Sequence, residues 1–161
     1  MFIFGQIPTY QSDEKYGLSV SGDGRALTLS FDDLQATFGG GKSPAPMATR
    51  VFSLVLPLEG DEKRAEIEFT VQGFISTPEG TTATMVCSVN GQTTVADFPE
   101  RSEQSFVHTL KFEAQTPSEC RLYVFLLVGR DSRNAYAGEY LNVTAIDAEF
   151  LPRTGSNHSS G

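Results

Sequence analysis

Tryptophan is absent from the 161 residues, and histidine and cysteine occur only twice each. The missing Trp removes the commonest aromatic platform for sugars and for many interfaces. Two histidines, His108 and His158, are too few to favour a metallohydrolase or a Ser-His-Asp enzyme. Cys87 and Cys120 allow one disulfide at most, which does not make a disulfide scaffold, and their spacing is not that of a metal site. The simplest reading is two buried thiols.

Basic runs are missing too. The formal net charge is -8, so the chain repels phosphate backbones and nucleic acid is not expected as a partner. No apolar stretch approaches the ~18 residues that a membrane span requires, so none is expected. The opening Met1-Phe2-Ile3-Phe4-Gly5 is apolar, but it is short for a signal peptide and lacks a basic flank. That leaves two compartments open: secreted, if a signal has been removed, and otherwise cytoplasmic.

What is present is period-two alternation. Leu27, Leu29 and Phe31 mark a half-buried strand, reached from residues 17–21 through a turn at Asp23-Gly24. Phe52, Leu54, Leu56 and Leu58 share a face in residues 50–58, where Pro57 suggests a strand end or an edge. Ile67, Phe69 and Val71 alternate with charged and polar residues in 65–75, and Gly73 suggests a bend or bulge there. Asn90-Gly91 is the strongest hairpin signal, since a type I′ turn needs positive φ at both central residues. Pairing about that turn sets Cys87 opposite Thr94 and Met85 opposite Ala96. Phe106, His108, Leu110 and Phe112 share a face in 105–113. Residues 120–128 are nearly all apolar and read as a central strand covered on both faces. Residues 139–150 alternate until the phase shifts at Ile146, which a bulge would explain.

The expected fold is therefore all-β: an antiparallel two-sheet β-sandwich or jelly roll of eight or nine strands. Residues 1–16 read as an irregular lead-in with room for an edge strand, 17–151 as a single β-sandwich domain, and 152–161 as a disordered tail. Asp32-Asp33 is expected to close its strand, and residues 34–38 could supply one helical turn.

Several motifs resolve into bland readings. Gly41-Lys42-Ser43 resembles the end of a phosphate-binding loop, but Ala36 stands where that loop needs Gly, and Pro44 and Pro46 forbid the helix that must follow. Leu151-Pro152-Arg153-Thr154-Gly155 matches a sorting signal without the apolar span that follows one, so it reads as chance or a tag. Asp32-Asp33 and Asp61-Glu62 read as solvated turn acids, because neighbours on a strand point to opposite faces. His108, on an apolar face, reads as a hydrogen-bonded core or interface histidine. Asn142-Val143-Thr144 and Asn157-His158-Ser159 fit the glycosylation pattern, which matters only for a secreted eukaryotic chain.

The segment from Ser19 through Asp23-Gly24-Arg25-Ala26-Leu27-Thr28 to Phe31-Asp32-Asp33-Leu34-Gln35-Ala36 resembles a family of small secreted proteins of unknown function from fungi and filamentous bacteria. In that family a similar strand pair precedes a loop rich in Gly, Ser and Pro, like residues 39–46 here, and then a strand like 51–58. The family tends to carry extra cysteines, one of them at the start of the strand that here reads Val51-Phe52-Ser53, and this chain lacks them. The resemblance implies a secreted β-sandwich and supplies no catalytic residues.

The functional expectation is a non-enzymatic binding or structural module acting through surface loops, with no cofactor and no metal. The loops singled out are residues 39–49 and 130–138. Arg130, Asp131, Arg133, Asn134 and Tyr136 are the candidate contacts to a protein or glycan ligand, since that mix suits polar ligands and protein partners. Three alternatives stand beside it. A carbohydrate-binding module would use Tyr123 and Phe125, which alternate on one strand face, with Tyr136 and Tyr140 near that strand's end. A self-associating shell or fibre subunit would be a homo-oligomer pairing its long strands. A glycosidase would use paired carboxylates alone.

Overall fold

The protein, seen in a computed structural model, is described over residues 3–6, 14–37, 47–60, 64–115, 118–130 and 139–152. These residues contain ten strands: β1 (Ile3–Phe4), β2 (Gly17–Val20), β3 (Ala26–Thr37), β4 (Met47–Glu59), β5 (Arg64–Thr77), β6 (Thr81–Val89), β7 (Gln92–Phe98), β8 (Ser102–Gln115), β9 (Ser118–Arg130) and β10 (Tyr140–Phe150). The expected count of eight or nine falls short by β1, a two-residue strand within the lead-in.

The strands form two five-stranded antiparallel sheets, in the orders β1-β4-β9-β6-β7 and β2-β3-β10-β5-β8. Only β2–β3 and β6–β7 are successive strands paired as hairpins; every other connection crosses from one sheet to the other. That wiring is a jelly roll, with β4-β9-β6-β7 facing β3-β10-β5-β8 and the short β1 and β2 added at the edges. The segments 38–46, 61–63, 131–138 and 153–161 lie outside the described residues, so the Gly-, Ser- and Pro-rich stretch 39–46 and the expected disordered tail beyond Pro152 fall there.

Alternation builds the core. Phe52, Leu54 and Leu56 of β4, Leu122, Val124 and Leu126 of β9, and Met85 and Cys87 of β6 point inward from the first sheet. Leu29 and Leu34 of β3, Ile67 and Phe69 of β5, and Leu141 and Val143 of β10 meet them from the second. Full burial of one such side chain is worth roughly 1.5–3 kcal/mol. Cys87 and Cys120 are free and buried, and burial pushes each thiol up to about 12. Cys87 pairs across to Val124 and Cys120 to Leu56, so the two thiols are not partners in register.

The local chemistry sets the turns. Asn90 and Gly91 take φ of 49° and 88°, and the hairpin register sets Cys87 opposite Thr94 and Met85 opposite Ala96 as expected. In the β2–β3 turn, Asp23 accepts hydrogen bonds from the Ser21 hydroxyl at 2.7 Å and the Arg25 N–H at 3.0 Å. Those two donors hold its carboxyl below the usual range.

A bulge between Val143 and Ala145 shifts the register of β10 against both neighbours. Gly73 lies opposite this bulge, where a Cβ would come within 1.9 Å of the Asn142 carbonyl oxygen, so only glycine fits. The same irregularity corrects two expectations about β3. The strand does not end at Asp32-Asp33, and Leu34 to Thr37 is strand, not helix. Asp32 and Asp33 are both exposed while Phe31 and Leu34 are both buried, because the irregular register breaks the alternation at that point.

Two lateral seams close the sandwich. On one, Tyr16 and Phe31 each meet Phe52 edge-on, at 5.7 and 4.8 Å between ring centres. There Arg50 of β4 binds the Glu14 carboxylate through Nε and Nη2 and reaches the Asp33 carbonyl of β3 at 3.3 Å. The Glu14 hydrogen bonds raise the guanidinium pKa further. On the other seam, Phe98 packs on Phe106 at 5.1 Å, and Thr94 Oγ1 lies 2.8 Å from His108 Nε2. His108 is therefore a hydrogen-bonded interface histidine, as its position suggested. No helix of the described residues is long and apolar enough to cross a membrane.

Candidate functional site

The outward face of β9 is the centre of the first sheet's solvent side. β9 is central, between β4 and β6, but it is covered on one face only. Cys120, Leu122, Val124, Leu126 and Val128 are buried, whereas Arg121 and Tyr123 are exposed and Phe125 and Leu127 half-buried. The expectation of cover on both faces fails because both sheets of this two-layer fold face solvent on their outer sides.

Register extends these residues into rows across the first sheet. Ser53, Tyr123, Ser88 and Thr93 pair in sequence, as do Val51, Phe125, Val86 and Val95. The first row presents an aromatic ring between three hydroxyls. The second is wholly apolar, with Val51 40% and Val95 53% exposed. Tyr123 is itself 40% exposed, so its ring is available from solvent. Open depressions flank Tyr123: one is bounded by Ser53, Val55 and Arg121, the other by Ser88, Asn90, Glu119 and Arg121.

The floor of the second depression is fixed. The Asn90 side-chain amide donates to the Glu119 carbonyl at 2.8 Å, and its oxygen accepts the Arg121 N–H at 2.7 Å. The Asn90 N–H donates to the Arg121 carbonyl at 3.2 Å. The β6–β7 turn is thus stitched to the start of β9, which holds Arg121 and Tyr123 in place. Arg121 Nη2 lies 3.7 Å from Glu119 Oε2, with both side chains largely in water, so the pair is easily rearranged.

The outer face of the second sheet is different. Asp147 of β10 accepts from Thr28 Oγ1 at 2.6 Å and from Gln72 Nε2 at 3.1 Å. Glu68 and Glu149 border the same shallow depression. Among the described residues no three His, Cys, Asp or Glu side chains gather as a metal site. Tyr140 stacks on Phe74 at 5.8 Å on this sheet. It therefore does not extend the Tyr123 face, although Tyr123 and Phe125 do share one as expected.

Of the predicted loop contacts, Asp131, Arg133, Asn134 and Tyr136 lie outside the described residues. Arg130 ends β9, its backbone paired with Thr81. Ser53, Ser88, Asn90 and Arg121, which border the depressions beside Tyr123, were not among the candidates read from sequence. Their signal was the hairpin register: once Asn90-Gly91 fixes β6 against β7, Ser88 falls opposite Thr93, and only the pairing with β9 was needed to complete the row.

No family model matches the chain, and no curated protein matches it. Solved structures similar to it include CBM35 from Cellvibrio japonicus Abf62, at 9% identity and TM-score 0.33 over 92% of this chain and 91% of that one. A carbohydrate binding module from Cellvibrio mixtus lichenase 5A, in complex with cellotriose, has 8% identity and TM-score 0.33 over 94% and 98%. The enzymatically active domain of bacteriophage CBA120 tailspike protein 4 has 11% identity and TM-score 0.40 over 93% of this chain, which spans only 19% of that chain's length.

Proposed function

We propose that this protein is a non-catalytic carbohydrate-binding module, and that the outer face of its first sheet receives the glycan. The observation that carries the reading is the row Ser53–Tyr123–Ser88–Thr93, with an exposed ring in its middle. A sugar ring has C–H groups on its faces and hydroxyls around its rim. Tyr123 offers an aromatic face to the former, and Ser53, Ser88, Thr93 and Arg121 offer hydrogen bonds to the latter. The Val51–Phe125–Val86–Val95 row supplies apolar floor to a second ring. Tyrosine here takes the place that the absent tryptophan would otherwise fill.

The non-catalytic part rests on the carboxylates. Among the described residues Glu119 is the one acid bordering the depressions beside Tyr123, whereas glycoside hydrolysis uses a pair; Glu68, Asp147 and Glu149 gather on the opposite sheet, away from this face.

A glycan array followed by calorimetry tests the reading. Tyr123→Ala should weaken any glycan found by about 2 kcal/mol, or roughly thirtyfold, with the fold intact. A glycan bound equally well by Tyr123→Ala would move the site to the connections between β3 and β4 and between β9 and β10.

A further inference from the structure

Sheet edges are usually kept short or broken, because an open edge pairs with another chain. Three of the four terminal strands obey this: β1 has two residues, β2 four and β7 seven. β8 does not. It has 14 residues, contains no proline, and pairs with β5 without a register shift from Ser102 to Gln115. Among the described residues no strand occupies its other side. On its outward face stands Val107, 70% exposed and the most exposed large apolar side chain of the described residues.

The outward side chains of β8 are complementary to themselves read backwards. Let two copies pair antiparallel about a two-fold axis at Val107. Val107 then meets Val107, Ser105 meets Thr109, and Glu103 meets Lys111. The Glu103–Lys111 contact occurs twice by symmetry. Glu103 and Lys111 thus meet opposite charges, and the most exposed apolar residue meets its own copy. The existing ion pairs of Lys111 with Glu66 and Arg64 with Glu113 run to β5, on the other side of the strand, and are compatible with the new contacts.

We infer that β8 is a homodimerisation edge, at which a second copy of this chain adds in antiparallel register about Val107 and joins the two second sheets into one of ten strands. This surface is separate from the Tyr123 face, so a dimer would present two such faces.

Sedimentation equilibrium of the full chain, with circular dichroism as a fold control, tests it. The wild type should show a concentration-dependent particle of twice the 17.5 kDa chain mass. Glu103→Lys sets like charges opposite Lys111 twice and should raise the dimer dissociation constant by about tenfold; Lys111→Glu should do the same. The double variant Glu103→Lys with Lys111→Glu restores opposite charges and should return the constant to near the wild-type value. Val107→Arg, which opposes two cations on the axis, should abolish the dimer. A wild type that stays monomeric to about 1 mM overturns the inference. So does a dimer indifferent to Glu103→Lys and Val107→Arg, or one that the double charge reversal fails to restore.

Discussion

The two outer faces of the sandwich are built from the same strand geometry, and their centres carry different chemistry. The first sheet shows Tyr123, Phe125, Val51, Val86 and Val95, with hydroxyls beside them. The second shows Glu66, Glu68, Thr70, Gln72, Asp147 and Glu149 at its centre, with the Phe74–Tyr140 stack toward one end and Val107 at its β8 edge. Its central acid, Asp147, already takes hydrogen bonds from Thr28 and Gln72, so its polar groups satisfy one another. A face whose polar groups are internally paired and hydrated gains little by binding. A face with an exposed ring and apolar rows gains by being covered. This contrast supports the proposal of recognition at the first sheet.

Its largest consequence lies beneath the faces. Leu126, on the inner side of β9, is fully buried, whereas its neighbour Phe125 on the outer side is half-buried. Leu126→Ala should cost ~2–5 kcal/mol in denaturant unfolding. Phe125→Ala should cost clearly less, because part of that ring is in water already. Equal losses would mean that the outer face is covered as the inner one is, and the distinction between them would collapse.

The next effect separates binding from stability on the first face. Tyr123→Ala is expected to change unfolding free energy by about 0.5 kcal/mol, since exposed substitutions seldom do more. The same change should remove most glycan binding. A matched change on the second face, Asp147→Asn, should do the reverse. It weakens two charge-assisted hydrogen bonds, costs about 1 kcal/mol, and leaves binding alone. Binding lost with Asp147→Asn and kept with Tyr123→Ala would exchange the roles of the two faces.

How much of this contrast was legible beforehand follows from what alternation encodes. Inward residues of β4, β5 and β8 were readable, because a period of two with one apolar phase has a single solution. The Asn90-Gly91 turn fixed one register to the residue. The outward rows were not readable, since they join β4, β9 and β6, strands distant in the chain whose neighbours only the fold decides. β9 itself was misread as doubly covered: Tyr123, Phe125 and Leu127 look like core when only composition is weighed. Asp32-Asp33 was misread as a strand end for a related reason. Its bulge is set by β10, more than a hundred residues later.

The smallest expected effect concerns the seam that joins the faces. His108 of β8 contacts Thr94 of β7, so one hydrogen bond ties the edge of the second sheet to that of the first. Partial burial lowers the His108 pKa below its ordinary value of 6.5. The unfolded chain therefore takes up the proton first as pH falls. Stability is whole above about 6.5 and declines as pH drops from the unfolded value toward the depressed folded one. His108→Gln keeps a hydrogen-bonding side chain toward Thr94 and removes the titration, so it should flatten that part of the curve of unfolding free energy against pH. Glycan binding at the Tyr123 face should not follow this titration while the protein stays folded, because His108 lies on the other sheet. A binding affinity that tracks the histidine titration in folded wild type, and loses that dependence in His108→Gln, would show that seam and face are coupled.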